Sequence, residues 1–164
     1  MFGKVVILLR TFSSIDGLPI IDRSSGREYG EVIDILMKKG TITGILVDQI
    51  GWLNRHLIFP LDSIYSFGKD GIMVDSTPRY TFFTKKMNGT LLLKNGKQRL
   101  RGVPLFSKEG MKLGLIDDVY FCENSGTIVG YEVTDGFVAD LLEGRKIVRQ
   151  AELVVGGGRA ILTK

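Results

Sequence analysis

The sequence is poor in the residues that do most enzymatic work. Its 164 residues include one cysteine, Cys122, and one histidine, His56, so neither a disulfide within the chain nor a Cys/His metal cluster can be assembled. A chain without disulfides fits a reducing compartment. Long apolar runs are missing as well. The longest near the start, Val5-Val6-Ile7-Leu8-Leu9, is shorter than a signal-peptide core of ~7–15 residues and far short of the ~20 that cross a bilayer. It reads as an added N-terminal strand, and the protein as cytoplasmic. No stretch of the chain up to Val74 holds a helical apolar period over three or more turns, which excludes a helical bundle. Acid is absent from one long segment: Ser76 to Gly102 contains no Asp or Glu, but carries Arg79, Lys85, Lys86, Lys94, Lys97, Arg99 and Arg101. That segment has a charge of +7 in a chain whose net charge is +4, so the rest is acidic by 3.

What the sequence does have is glycine and repetition. Its 21 glycines are roughly twice the usual 7 %, and they punctuate apolar runs instead of filling a linker. Apolar residues at 44 % and charged residues at 24 % describe a packed, folded protein. One stretch is written twice. Gly17-Leu18-Pro19-Ile20, then Gly26, then Gly30-Glu31-Val32-Ile33-Asp34 returns as Gly102-Val103-Pro104-Leu105, then Gly110, then Gly114-Leu115-Ile116-Asp117-Asp118. The offset is 85 at the first glycine and 84 at the next two, so one deletion separates the copies. A repeat of this kind sets the architecture.

Within the first copy, Pro19 suits a strand start because it cannot donate to a ladder. Gly30 to Leu36 and Thr41 to Val47 read as a hairpin turned by Lys38-Lys39-Gly40. Arg55 to Phe59 is another strand, Pro60-Leu61-Asp62-Ser63-Ile64 one helical turn, and Tyr65 to Val74 two short strands around Asp70-Gly71. The second copy follows the same order, with Lys146-Ile147-Val148 in place of the His56 strand. A longer loop, Phe137 to Gly144, stands between. Short strands at regular spacing with glycine turns point to small barrels. The joint between copies carries two hairpin-turn signals, Asn88-Gly89 and Asn95-Gly96, on either side of Thr90-Leu91-Leu92-Leu93-Lys94.

These repeated residues, together with Leu61-Asp62-Ser63-Ile64 and Ala151-Glu152-Leu153-Val154 ahead of the last strands, resemble the PRC-barrel family. That small β-barrel is shared by the cytoplasmic domain of the photosynthetic reaction-centre H subunit and a ribosome maturation factor, and tandem free-standing bacterial members are similar to this chain. The resemblance implies an all-β protein of two tandem small barrels, each with a short helical turn before its last strands. The chain then divides into a first barrel with its N-terminal strand at 1–78, a basic linker or hairpin at 79–100, and a second barrel at 101–164. The resemblance also implies docking rather than catalysis.

The candidate chemical residues agree with that. Asp34 and Asp118 sit one per repeat, and an Asp beside a turn accepts backbone N–H bonds; paired acids would have to share a cleft to act as acid and base. Asp117 and Asp118 are adjacent on a strand and point to opposite faces. His56 has no nucleophile near it in sequence, and Cys122 follows Asp117 and Asp118 and precedes Glu123, a setting that does not activate a thiol. Gly156-Gly157-Gly158-Arg159 is followed by a strand, not the helix a phosphate loop needs, so it reads as a hairpin turn. The expectation is a non-enzymatic adaptor with no catalytic residue, cofactor or metal site. It docks a protein partner through barrel loops that include Trp52 and Phe137, aromatics of the type that anchor interfaces. The alternative is an RNA-binding or ribosome-associated factor. It would use Arg79, Lys85, Lys86, Lys94, Lys97, Arg99 and Arg101 for phosphates and Tyr80, Phe82 and Phe83 for stacking.

Overall fold

Both copies of the repeat fold as antiparallel ribbons curled into small barrels, and the computed structural model describes them at residues 7–51, 55–75, 79–85, 87, 89–135, 144–149 and 152–163. In the first, β2 (Pro19–Asp22), β3 (Glu28–Lys38), β4 (Thr41–Gln49) and β5 (His56–Pro60) form a meander. A 3-10 turn at Leu61–Ser63 carries the chain into β6 (Ile64–Phe67) and β7 (Ile72–Val74). Strand β7 then lies parallel to β2, with Ile20 opposite Ile72, so the order is β6-β7-β2-β3-β4-β5 and the barrel stays open between β5 and β6. The 3-10 turn bridges that opening, with the Ser63 hydroxyl donating to the Pro60 carbonyl at 2.7 Å. It is the one helical element among the described residues.

Before the second barrel come β8 (Thr81–Phe82) and β9 (Leu91–Leu92). The barrel itself consists of β10 (Pro104–Phe106), β11 (Lys112–Cys122), β12 (Ile128–Thr134), β13 (Lys146–Val148), β14 (Leu153–Gly156) and β15 (Arg159–Leu162). Its order, β13-β12-β11-β10-β15-β14, repeats the first with β10 parallel to β15. The helical turn expected before β14 includes residues 150 and 151, which lie outside the described residues. Gly157 and Gly158, both with positive φ, make the tight turn between β14 and β15, so the Gly156–Arg159 stretch is a hairpin turn.

The repeated Gly-x-(Val/Ile)-x-Asp is a strand with a bulge. Register shifts between Val32 and Asp34 in β3, and between Ile116 and Asp118 in β11, and the bulge at each site leaves Ile33 and Asp117 unpaired while Asp34 stays opposite Leu46 and Asp118 opposite Glu132. The glycine that opens the motif is there for backbone approach: a Cβ on Gly30, at φ +151°, would stand 2.0 Å from the Asp48 carbonyl oxygen.

The two halves are tied by exchange of their leading strands. A short strand β1 (Leu9–Thr11) runs into the first repeat but pairs with β11 of the second, Leu9 opposite Cys122. Strand β9 runs into the second repeat but pairs with β3 of the first, Leu92 opposite Leu36. Thr81–Phe82 and Leu91–Leu92 are not paired with each other; both add to the first sheet, β8 on the edge of β5. The leaders also touch, Lys94 Nζ donating to Asp16 at 2.6 Å. Where the two β-hairpin turns meet, Thr41 faces Thr127. Ile42 N–H donates to the Gly126 carbonyl at 2.7 Å, and Ile128 N–H to the Gly40 carbonyl at 3.0 Å. One apolar core therefore runs through both repeats, from Phe12, Ile35 and Phe59 to Val119, Phe121 and Tyr131, with Phe67 and Phe121 edge to face at 6.0 Å.

Candidate functional site

The Asp34 carboxylate decides where the joint lies. It is fully buried and accepts from the backbone N–H of Leu93 (2.9 Å), Lys94 (3.0 Å) and Asn95 (2.7 Å), from its neighbour Ile35 (2.8 Å), and from the Asn95 side-chain amide (2.9 Å). Asn95 Nδ2 also donates to the Ile33 carbonyl at 2.9 Å. A buried carboxylate is tolerable when its oxygens are filled in this way. Asp118 plays the same part for the other leader, but with fewer donors, Val119 N–H at 2.8 Å and Ser13 N–H at 3.2 Å. The two aspartates serve separate halves and separate strands. Asp117 turns elsewhere, to the Arg145 guanidinium, with Arg101 at 3.9 Å.

Pinned at Asp34 on one side and hydrogen-bonded from Phe83 N–H to the His56 carbonyl (2.9 Å) on the other, the joint roofs part of the outer face of the first sheet. Leu36, Leu46 and Ile58 are buried there beneath Ile33, Phe83, Met87 and Leu92, a second apolar cluster apart from the main core. The cover is incomplete. A half-open groove of about 1050 Å³ remains between the β9 wall and the β8 wall, floored by Ile33, Leu46 and Leu92 and flanked by Phe82, Phe83 and Met87. Arg55, His56, Lys85 and Lys97 also line it, and none of the described lining residues is Asp or Glu. The Arg55 guanidinium lies 5.1 Å from the Phe82 ring centre, so one wall presents a cation held on an aromatic face.

Among the described residues, the corresponding face of the second sheet is polar. By register, Ile33, Leu46 and Ile58 correspond to Asp117, Glu132 and Ile147, and Leu36 to Tyr120. That face holds a polar network: Tyr120 OH donates to Glu132 at 3.0 Å, and Arg145 bridges Glu132 (2.8 Å) and Asp117. Burial, then the hydrogen bond to Glu132, pushes the Tyr120 hydroxyl above its ordinary value.

The described cations of the joint have different surroundings. Arg79 is paired with Asp62 at 2.7 Å and Lys94 with Asp16 at 2.6 Å. Arg101 donates to the Asp117 carbonyl at 2.9 Å and lies over the Phe12 ring at 5.7 Å. Lys85, Lys97 and Arg99 have no acid within ion-pair distance among the described residues, and the first two line the groove. Lys86, Trp52 and Phe137 lie outside the described residues. Of the aromatics, Tyr80 packs against Tyr29 (5.8 Å) and Phe59 (5.6 Å) at the rim of the core, whereas Phe82 is half exposed.

His56 Nε2 lies 3.6 Å from the Asp48 carboxylate. Cys122 departs from expectation in its acidity. The Ser125 hydroxyl and the N–H groups of Ser125 and Asn124 hydrogen-bond to its sulfur and push the thiol below its ordinary value, outweighing burial and the Glu123 charge. Among the described residues no three His, Cys, Asp or Glu side chains converge as a metal site would need.

The groove was missed in the sequence, although a signal was present. Ile33 to Met37, broken only by Asp34, and Ile45-Leu46-Val47 run apolar without alternation, which marks a strand covered on both faces. In the second copy Asp117 and Glu132 break the pattern.

A strand meander closed by a parallel last strand, opened by Gly-apolar-Pro and bulged at an aspartate, now stands in both halves. The PRC-barrel domain model matches residues 9–79 and again 96–163. The chain belongs to the PRC-barrel family. Its tandem barrels are similar to "Uncharacterized protein YrrD" of Bacillus subtilis (strain 168), 28 % identical over 149 residues, covering 90 % of this chain and 82 % of that one. The family match starts again at residue 96, two residues past Lys94, so the Asp34-bound segment and the groove wall it forms lie in and beside the gap between the PRC-barrel matches. No helix among the described residues is long and apolar enough to cross a membrane.

Proposed function

We propose that this tandem PRC-barrel protein is a non-enzymatic docking protein, and that it takes a protein partner in the groove between the joint and the first sheet. The observation that carries this reading is the pairing of an apolar floor with the cations Arg55, Lys85 and Lys97 in one half-open groove. Apolar surface left partly uncovered beside polar groups marks interaction sites. Trp52 precedes Arg55 of the rim by three residues in sequence and Phe137 lies in the second repeat; both are outside the described residues.

The test is a photo-crosslinking amino acid placed in the source cells at Thr84 or Thr90, both groove residues, and at Val129 of the second sheet as a control. Protein adducts specific to the groove positions, unchanged by ribonuclease, support the reading. Adducts that are the same from all three positions refute it.

RNA binding is the second reading, supported by Lys85, Lys97, Arg99 and the exposed Phe82 ring. It is weakened because Arg79, Lys94 and Arg101 are engaged with acids or carbonyls. Neutralising three phosphates on single-stranded RNA gives a slope of log K against log salt of about −2. A titration of the purified protein with oligouridine that shows a steeper slope, falling by about 0.7 for each of Lys85, Lys97 and Arg99 neutralised, would favour RNA over protein.

A further inference from the structure

The groove also specifies what kind of segment enters it. Resting on the docking reading above, we infer that the partner contributes an extended, acidic-ended segment whose apolar middle covers Ile33 and Leu92 and whose two ends carry Asp or Glu.

Charge and dimensions both lead there. Locally the strands run β9-β3-β4-β5-β8, four inter-strand steps, which at ~4.8 Å each span about 19 Å. The cations stand on opposite walls of that span. Lys97 follows the Asn95-Gly96 turn that leaves the Asp34 anchor beside β3, whereas Arg55 precedes β5 and Lys85 follows β8. A single small carboxylate reaches only one of these walls. An extended polypeptide of about six residues, at ~3.3 Å each, reaches both. Between the walls the floor is apolar, and an acid placed there would be desolvated without a partner. Among the described residues that line the groove none is Asp or Glu, and the Asp48 carboxylate beside it faces the His56 imidazole at 3.6 Å. The corresponding face of the second sheet carries Asp117 and Glu132, ion-paired with Arg145, where the first has Ile33 and Leu46, so it lacks the apolar floor that such a segment needs.

The experiment pans a library of random twelve-residue peptides against the purified full chain. The selected sequences are then measured as fluorescein-labelled synthetic peptides by anisotropy. Expected are peptides with acids at both ends of an apolar centre. Binding should weaken at least ten-fold with Lys97→Glu or with Arg55→Glu/Lys85→Glu. The triple variant should instead accept the same peptide with its acids replaced by lysine, an outcome that misfolding cannot produce. Selected peptides without acidic ends, or affinity untouched by the wall variants, overturn the inference. So does tighter binding of a dansyl-labelled fatty acid or of oligouridine than of any selected peptide. If no peptide is enriched while Thr84 still captures a protein by photo-crosslinking, the inference about the segment fails and the docking reading stands; if neither occurs, both fail.

Discussion

Replacing Asp34 by alanine should do more than remove a charge, because five N–H donors from two parts of the chain converge on that carboxylate. Two of the donors, on Ile35 and Leu93, belong to fully buried residues, and alanine leaves them without an acceptor. Each buried donor so stranded costs about 1–3 kcal/mol. The N–H groups of Lys94 and Asn95 are nearer solvent and can be rehydrated, so they add less. The sum is about 3–5 kcal/mol, a large part of the ~5–15 kcal/mol by which a domain is stable. At about 2–4 °C per kcal/mol for a chain of this size, Tm should fall by roughly 6–20 °C. Asp118→Ala strands one buried donor, Val119 N–H, while Ser13 is exposed, so it should cost only about 1–3 kcal/mol. Asp34→Asn should be intermediate: one oxygen can still accept from Ile35, Leu93 and Lys94, but its amide meets the Asn95 donors. Calorimetry gives the ranking, and hydrogen exchange gives the location, with the Leu93 and Lys94 amides losing protection first. An Asp34→Ala protein that melts no lower than Asp118→Ala, with Leu93 still protected, would refute the claim that this carboxylate anchors the joint.

Other expectations are simpler to state. Gly30→Ala sets a Cβ 2.0 Å from the Asp48 carbonyl, and Gly126→Ala sets one 2.4 Å from the Ile42 carbonyl. Both should be destabilising by more than ~2 kcal/mol in denaturant titrations, whereas Gly96→Ala, with open space around it, should pay only for its positive φ. The Asp22 carboxyl is held below its ordinary value, chiefly by the hydroxyl and N–H of Ser24. Its stabilising contribution is therefore present above the unfolded-state value near pH 4 and is lost as pH falls through the lower folded-state value. Asp22→Asn should flatten that part of a stability-against-pH curve. Residues 9–79 expressed alone lack β9 and the packing of Phe67 on Phe121; they should be poorly folded alone and recover a cooperative transition when coexpressed with 80–163. Leu46→Ala should enlarge the groove, cost about 2–4 kcal/mol as a buried truncation, and raise fluorescence of an added apolar dye.

The elements and their repetition are legible in the chain alone. Glycines fixed the turns, Pro19 and Pro104 the strand starts, and apolar β-branched runs the meander, because these depend on backbone sterics and on side chains within a few residues of each other. It also indicated that Asp34 and Asp118 accept backbone hydrogen bonds, a property of an aspartate at a bulge. It could not say whose. The donors to Asp34 lie about 60 residues away at 93–95, and those to Asp118 include Ser13, 105 residues away. That each leader strand crosses to the other repeat is a long-range outcome, fixed by contacts between residues some 60 to 105 positions apart. The same fact redistributed the basic joint. Of the six described cations in that run, Arg79, Lys94 and Arg101 are engaged, Lys85 and Lys97 line the groove, and Arg99 has no acid within ion-pair distance among the described residues, because the segment that carries them packs onto the first sheet at Asp34 and over Leu36, Leu46 and Ile58.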